Sequence, residues 1–391
     1  MTPTLAAAGP SKERPHASHR RLRRFWLRIH LYLALFFGLP IVLMGLTGSC
    51  TVFWVEIDEL LNPKLVVNSA HGPMRGLDEL LQVAQDANPT QHGSWTLAMP
   101  LHERGMVTAI HQPVGEMPDA PQRMVSINPY TAEVVANRVW GETLTTWLYT
   151  LHNSLLLGRG GFYTIGVLGI ILMVSLVSGL YLWWPRGSKF KYAFSIKRGA
   201  SGIRLVFDIH RVAGIYTVAV LLAISFSGIY FVFGDTITTI VKSFSKVEHL
   251  QFQDPKGLKS FVLPSIRPIS AAQAVALSNQ VFPHATLRYV VTPDGPEGVY
   301  RVDRRQPSEA NTSSPVSSVW LDQYSGQLIT TRDPNRYTAG ETFLNVLWPI
   351  HNGEAFGLPN RIVNALAGFA PLILYVTGVI QWLRKRDKSS I

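Results

Sequence analysis

His30–Val55 reads HLYLALFFGLPIVLMGLTGSCTVFWV, and after its histidine no residue carries a charge. At about 1.5 Å of rise per residue, some 20 apolar residues cross the roughly 30 Å hydrocarbon core of a bilayer. Three more uncharged runs follow: Gly160–Trp184, Val212–Gly234 and Ile362–Leu383. Helices buried in water-soluble proteins rarely sustain such length, so the runs predict four transmembrane helices. The first is longer than a cleavable secretion signal, and Cys50–Trp54 offers no small-residue cleavage site. The composition agrees, with 47% of the 391 residues hydrophobic and only 16% charged.

The net charge of +11 would suit nucleic acid if it formed a continuous basic face, but its placement suits a bilayer. Residues 1–28 carry seven Lys/Arg against one acid, and residues 185–204 carry six (Arg186, Lys189, Lys191, Lys197, Arg198, Arg204) against none. The tail after Leu383 carries four against one, whereas residues 56–150 carry five against eleven and residues 235–350 are near balance. Lys and Arg are retained on the cytoplasmic side. Both termini and the short loop are therefore expected in the cytoplasm of a bacterial inner-membrane protein, and the two long segments outside. The expected division is a basic N-terminal tail (1–24), a first span (25–55) and an external module (56–150). An interfacial segment with the second span (151–184) and a cytoplasmic loop (185–204) follow. Then come the third span (205–234), a second external module (235–345), an interfacial segment with the fourth span (346–383), and a tail (384–391). The polar start, Met1–Arg28, is expected to be partly disordered. Trp26, Trp54, Trp183, Trp184 and Trp382 suit interfacial belts.

The chain matches itself. Gly48 of Thr47-Gly48 lies 18 residues after His30, and Gly228 of Ser227-Gly228 lies 18 after His210. Gly179 of Ser178-Gly179 lies 27 residues after His152, and Gly378 of Thr377-Gly378 lies 27 after His351. Gly141-Glu142-Thr143 and Gly340-Glu341-Thr342 stand 199 apart, as do His152 and His351. Each external segment opens with an amphipathic helix pattern, Leu77–Pro89 or Ile269–Pro283. Strand-like stretches follow, Ser94–Met99 and Met106–Ile110 or Thr286–Val291 and Gly298–Val302, and then hairpin-like units at Val125–Val135 and Val319–Ile329. Gln306–Pro315 reads as a loop. The unit is span, small α+β module, span, used twice.

An ionisable side chain at the edge of a span is costly and tends to serve function. Two such histidines, His30 and His210, fall at the inner face, and two, His152 and His351, at the outer. A b-type haem takes two axial imidazoles from facing elements, so the repeat supplies one pair per face and predicts two haem b. Pairing His30 with His152 within one half would need ligands from opposite faces. Gly38, Gly214 and Gly353 would let a flat macrocycle approach, and Arg28, Arg204, Arg211, Arg159 and Arg361 are candidate propionate partners. His16, His19, His71, His92, His102, His111, His249 and His284 read as surface or turn residues, with His102 and His111 the one candidate pair for a cluster. Cys50, the single cysteine, excludes disulfides and iron–sulfur clusters and reads as a packing residue. The Thr/Ser–Gly pairs read as helix-packing or helix-end glycines. Nucleotide, nicotinamide and hydrolase motifs are absent, so electrons would come from a membrane quinol or a separate cytoplasmic reductase.

These stretches resemble the PepSY-associated transmembrane family. The likeness is carried by His30 through Gly48 with Glu56-Ile57-Asp58 and Asn62-Pro63, by Ser178-Gly179 with Trp183-Trp184-Pro185-Arg186, by Asp208-Ile209-His210-Arg211, and by Trp348-Pro349-Ile350-His351-Asn352-Gly353. It covers roughly residues 20–386 and makes the external modules look like PepSY domains. The expected fold is a membrane protein of four transmembrane α-helices with two periplasmic α+β PepSY-like modules in an internal duplication. The resemblance further implies iron acquisition through a di-haem reductase of ferric siderophores such as ferrioxamine or ferrichrome, releasing Fe(II) in the periplasm. A regulator of a periplasmic peptidase without redox chemistry, or a transporter of iron chelates or metal, are the alternatives. Against transport, the spans lack carboxylates and broken-helix Gly/Pro runs, with Pro40 and Pro371 the prolines well inside them.

Overall fold

A computed structural model describes residues 15–68, 72–111, 122–185, 187–263 and 265–387. His71 and Arg186 lie outside the described residues. The first half runs α1 (Pro15–Thr51), α2 (Trp54–Leu61), α3 (Leu77–Asp86), β1 (Trp95–Ala98), β2 (Val107–His111), β3 (Arg123–Ile127), β4 (Val134–Val139), α4 (Leu144–Ser154) and α5 (Gly158–Trp183). The second runs α6 (Gly202–Val232), α7 (Gly234–Lys242), α8 (Ala271–Val281), β5 (Thr286–Val291), β6 (Val299–Arg305), β7 (Ser317–Asp322), β8 (Leu328–Arg332), α9 (Ala339–Asn352), α10 (Leu358–Ala367) and α11 (Ala370–Asp387).

Among the described residues, four stretches are long and apolar enough to cross a membrane: Arg20–Thr51, Gly158–Trp183, Gly202–Val232 and Leu358–Arg386. They form a bundle in which α1 and α6 each touch both α5 and α11. Their outer sides carry uncovered apolar groups, with Phe36 74% and Tyr216 66% exposed. Water does not tolerate a continuous apolar belt of this kind, whereas lipid does. The basic stretch Arg20–Arg28 is part of α1 rather than disordered, because Arg and Leu are good helix formers that extend a helix already nucleated.

The fourth span differs from its expected continuity. α10 and α11 are separated by a turn at Gly368-Phe369. Pro371 has no N–H to continue the ladder there, and Phe369 instead donates a tighter bond to the Leu366 carbonyl. Gly368 lies against Gly45 and Ser49 of α1, where a side chain would collide, and the Ser49 hydroxyl donates to the Ala365 carbonyl at 2.7 Å.

Outside the bundle the two modules share one sheet. The order β4-β3-β2-β1-β5-β6-β7-β8 is antiparallel throughout. The halves meet at β1 and β5 through Thr96↔Val291, Leu97↔Val290 and Ala98↔Tyr289. Trp95 N–H donates to Thr292 Oγ1 at 2.8 Å, and the Ser94 hydroxyl donates to the Thr292 carbonyl at 2.6 Å. Alternation along the strands sends Leu97, Val107, Val125, Val290, Val302, Val319 and Leu321 to one face, where Leu80 and Ala84 of α3 and Ala271 and Ala274 of α8 close a single core. The opposite face is covered near β7 by Arg332, whose guanidinium stacks 5.2 Å over the Trp320 ring and donates to the Leu250 and Gln253 carbonyls.

Candidate functional site

The sheet-side end of the bundle is reached by two short helices. α4 follows β4 and carries His152, while α9 follows β8 and carries His351. Each helix starts with a capping box, at Thr143 and Thr338. Each ends in left-handed backbone, at Leu155 (φ 50°) and Gly353 (φ 86°), which turns the chain into the next span. The other two histidines ride on the spans themselves, His30 on α1 and His210 on α6, at the end where the 187–201 loop lies.

The fold brings these four side chains together as two pairs. The ring centres of His30 and His210 are 6.3 Å apart with an interplanar angle of 87°. Those of His152 and His351 are also 6.3 Å apart, at 47°. An imidazole nitrogen lies about 1.1 Å from its ring centre and a metal–imidazole bond is about 2.0–2.1 Å, so two rings in line through one ion have centres about 6.3 Å apart. Each ring is anchored by its Nδ1. His30 Nδ1–H donates to the Ser175 carbonyl at 3.0 Å, His152 to the Met44 carbonyl at 3.0 Å, and His351 to the Ile224 carbonyl at 3.2 Å. His210 Nδ1–H donates to Thr377 Oγ1 at 2.9 Å, whose own proton goes to the Ile373 carbonyl at 2.6 Å. A carbonyl can only accept, so Nδ1 carries the proton and Nε2 keeps its lone pair. Among the described residues, the hydrogen bonds to these rings all fall on Nδ1. That is the arrangement of a metal-ligating imidazole.

The anchors are where the sequence reading falls short. Thr47-Gly48, Ser178-Gly179, Ser227-Gly228 and Thr377-Gly378 are not merely packing pairs. Each lies against the histidine ring of the other span-bearing element in its own half: His152, His30, His351 and His210, respectively. The repeated spacings of 18 and 27 residues held that signal, because each glycine stays in step with a histidine. Of the other glycines named beside the histidines, Gly214 meets only Leu374 Cδ2 at 3.7 Å, while two do different work. Gly38 packs on the Tyr375 ring, and Gly353 is a helix terminator set against the Arg361 backbone.

Of the five arginines, Arg204 and Arg211 grip the fully buried Asp208 at 3.1 and 2.9 Å. The Asp208 carboxylate also accepts the Lys197 amide, and Arg211 donates to the Ser195 carbonyl, so this cluster pins the loop to α6. Arg361 pairs with Glu56 at 2.6 Å and stacks over Phe53. Arg159 lies over the Tyr163 ring and Arg28 is exposed. His111 is buried against Trp95 with its Nε2 at the His92 carbonyl, because β2 turns it into the core, and His102 bonds Glu59 instead of joining it.

Among the described residues, no group of three or more His, Cys, Asp or Glu is arranged to hold a metal ion. A two-imidazole set suits an ion whose remaining ligands come from a macrocycle. A family model for the PepSY-associated TM region matches residues 27–385. The chain belongs to this family. A search among curated proteins finds no match. In this PepSY-associated TM protein the match covers both histidine pairs, the spans and the sheet between them.

Proposed function

We propose that this protein is a di-haem b-type oxidoreductase of the bacterial inner membrane, passing electrons outward to reduce ferric siderophores in the periplasm and release Fe(II). His30 and His210 hold one haem and His152 and His351 the other, each through Nε2. Bound haem supplies one-electron chemistry, and common siderophores hold Fe(II) far more weakly than Fe(III), so reduction frees the metal. The observation that carries this reading is the matched pair geometry: two 6.3 Å ring separations at opposite ends of one bundle, with every Nδ1 committed and, among the described residues, no hydrogen bond on any of the four Nε2 atoms.

The protein's own part is to orient the rings, keep Nε2 unprotonated and exclude water from the bundle. Arg28 and Arg159, which make no ion pair among the described residues, are the propionate partners left by this arrangement. The positive-inside charge pattern supports cytoplasmic termini and a periplasmic sheet, with a quinol or a cytoplasmic reductase as donor. The matching halves, and a sheet order that reads alike outward from β1 and β5, support a duplicated unit.

The test is reconstitution in liposomes with reductant sealed inside and a ferric siderophore outside. Fe(II) should be trapped outside only with intact protein, and His210→Ala or His351→Ala should abolish it. Outside reduction that survives both substitutions would remove the haem route. A colourless protein prepared with ample haem would instead favour a peptidase regulator or a transporter.

A further inference from the structure

We infer that Thr47, Ser178, Ser227 and Thr377 are positioning residues that set how strongly each histidine binds its iron. The inference rests on the haem reading above. It goes beyond that reading by assigning a chemical task to residues that touch no iron.

The hydroxyl protons are already spent on the helix backbone. Thr47 donates to the Leu43 carbonyl at 2.8 Å, Ser178 to Ser175 at 2.9 Å, Ser227 to Ala223 at 2.9 Å and Thr377 to Ile373 at 2.6 Å. Each hydroxyl oxygen therefore faces the ring with a lone pair and accepts from Nδ1–H. The distances are 2.9 Å for Thr377 on His210, 2.9 Å for Ser227 on His351, 3.1 Å for Ser178 on His30 and 3.3 Å for Thr47 on His152. The carbonyl three residues earlier is a second acceptor for His30, His152 and His351. The glycine that follows lets the ring lie this close: a Cβ there would stand 2.8 Å from Cε1 of His152 at Gly48, 3.1 Å from His30 at Gly179 and 3.2 Å from His351 at Gly228. At these three positions Ser/Thr-Gly makes one device, in which the hydroxyl accepts and the bare backbone admits the ring, whereas a Cβ at Gly378 would stand in ordinary contact, 3.6 Å from Cε1 of His210.

An acceptor on Nδ1–H pushes electron density into the ring and strengthens Nε2 as a donor, which favours the higher oxidation state of a bound metal. Removing the hydroxyl should therefore raise the midpoint potential of one centre without moving the other.

The experiment is potentiometric titration and electron paramagnetic resonance on haem-loaded Thr377→Val, Ser178→Ala, Ser227→Ala and Thr47→Val. Thr377→Val and Ser178→Ala should raise only the loop-side potential, and Ser227→Ala and Thr47→Val only the sheet-side one. Thr377→Val and Ser227→Ala should shift most and Thr47→Val least, following the distances. If a variant loses its haem, restoration by the hydroxyl-bearing swap (Thr377→Ser, Ser227→Thr) supports the assignment, and no restoration overturns it. Haem-loaded variants with both potentials unchanged overturn this assignment alone. A wild-type protein that takes up no haem overturns the underlying reading and this inference with it.

Discussion

The loop-side and sheet-side histidine pairs share a ring separation and a mode of anchoring, yet they are carried by different kinds of structure. His30 and His210 sit on the long helices α1 and α6, whose backbones are held by bundle packing and, on α6, by the Asp208 cluster, and their rings cross at 87°. His152 and His351 sit on short helices hung between the sheet and the next span, and their rings cross at 47°. Short helices are marginal by themselves, and here polar contacts hold them. Arg138 of β4 makes two hydrogen bonds to Asp58, which also accepts from Thr145 at the start of α4. Asn364 of α10 donates to the Ile350 and His351 carbonyls at the end of α9. Glu341 takes the Glu248 and His249 amides at 2.9 Å, roping the segment after α7 to α9. One site is therefore carried by the long helices of the bundle, and the other by short helices tied to their surroundings through buried polar contacts.

That contrast can be broken first at the ligands. His210→Ala should delete the loop-side haem and leave the sheet-side one, and His351→Ala should do the reverse, each halving the haem content measured by pyridine haemochrome. A next largest effect is expected at Asp208, the loop-side charge buried under two arginines. Asp208→Ala strands those cations and should cost about 3–5 kcal/mol. It should free the 187–201 loop to protease and loosen the loop-side haem alone.

On the sheet side, the matching probe is Glu341. Burial alone would push its carboxyl up, but the Thr338, Glu248 and His249 amides and the His249 ring hold it down at about 2. A carboxyl depressed in the folded state stabilises above its ordinary value of 4.5 and loses that contribution as pH falls toward 2. Sheet-side haem should therefore be released first on acidification, followed by absorbance. Glu341→Gln should cost about 1–3 kcal/mol at neutral pH and flatten that acid response. The smallest effect separates the glycines. Gly48→Ala would bring a Cβ to 2.8 Å from His152 and should perturb the sheet-side spectrum, whereas Gly378→Ala, at 3.6 Å from His210, should leave the loop-side spectrum unchanged.

Much of this was legible in the sequence, for reasons specific to each element. The spans announced themselves because lipid demands unbroken apolar length, and β5 matches its expected strand because Thr286–Val291 is β-branched and bounded by turn residues. The histidine pairs could be guessed because an ionisable group at a span edge stands out against an apolar background. The joining of the two modules was hidden, since strand pairing between β1 and β5 depends on contacts about 195 residues apart that no local pattern records. Pro371 marked the break at Gly368-Phe369, but the close packing of Gly368 on Gly45 of α1 was hidden, because no local pattern records which helix a glycine faces. The role of Ser227 and its three counterparts escaped notice because a hydroxyl beside glycine in a span normally signals packing, and only the ring contact tells the two uses apart.

The most direct test of the account is the haem count of the purified wild-type protein expressed with ample haem. Bis-imidazole iron at both ends of the bundle predicts a red protein with a low-spin b-type spectrum and about two haems per chain. A colourless protein, or one whose haem content and spectrum are untouched by replacing any of the four histidines, would contradict it.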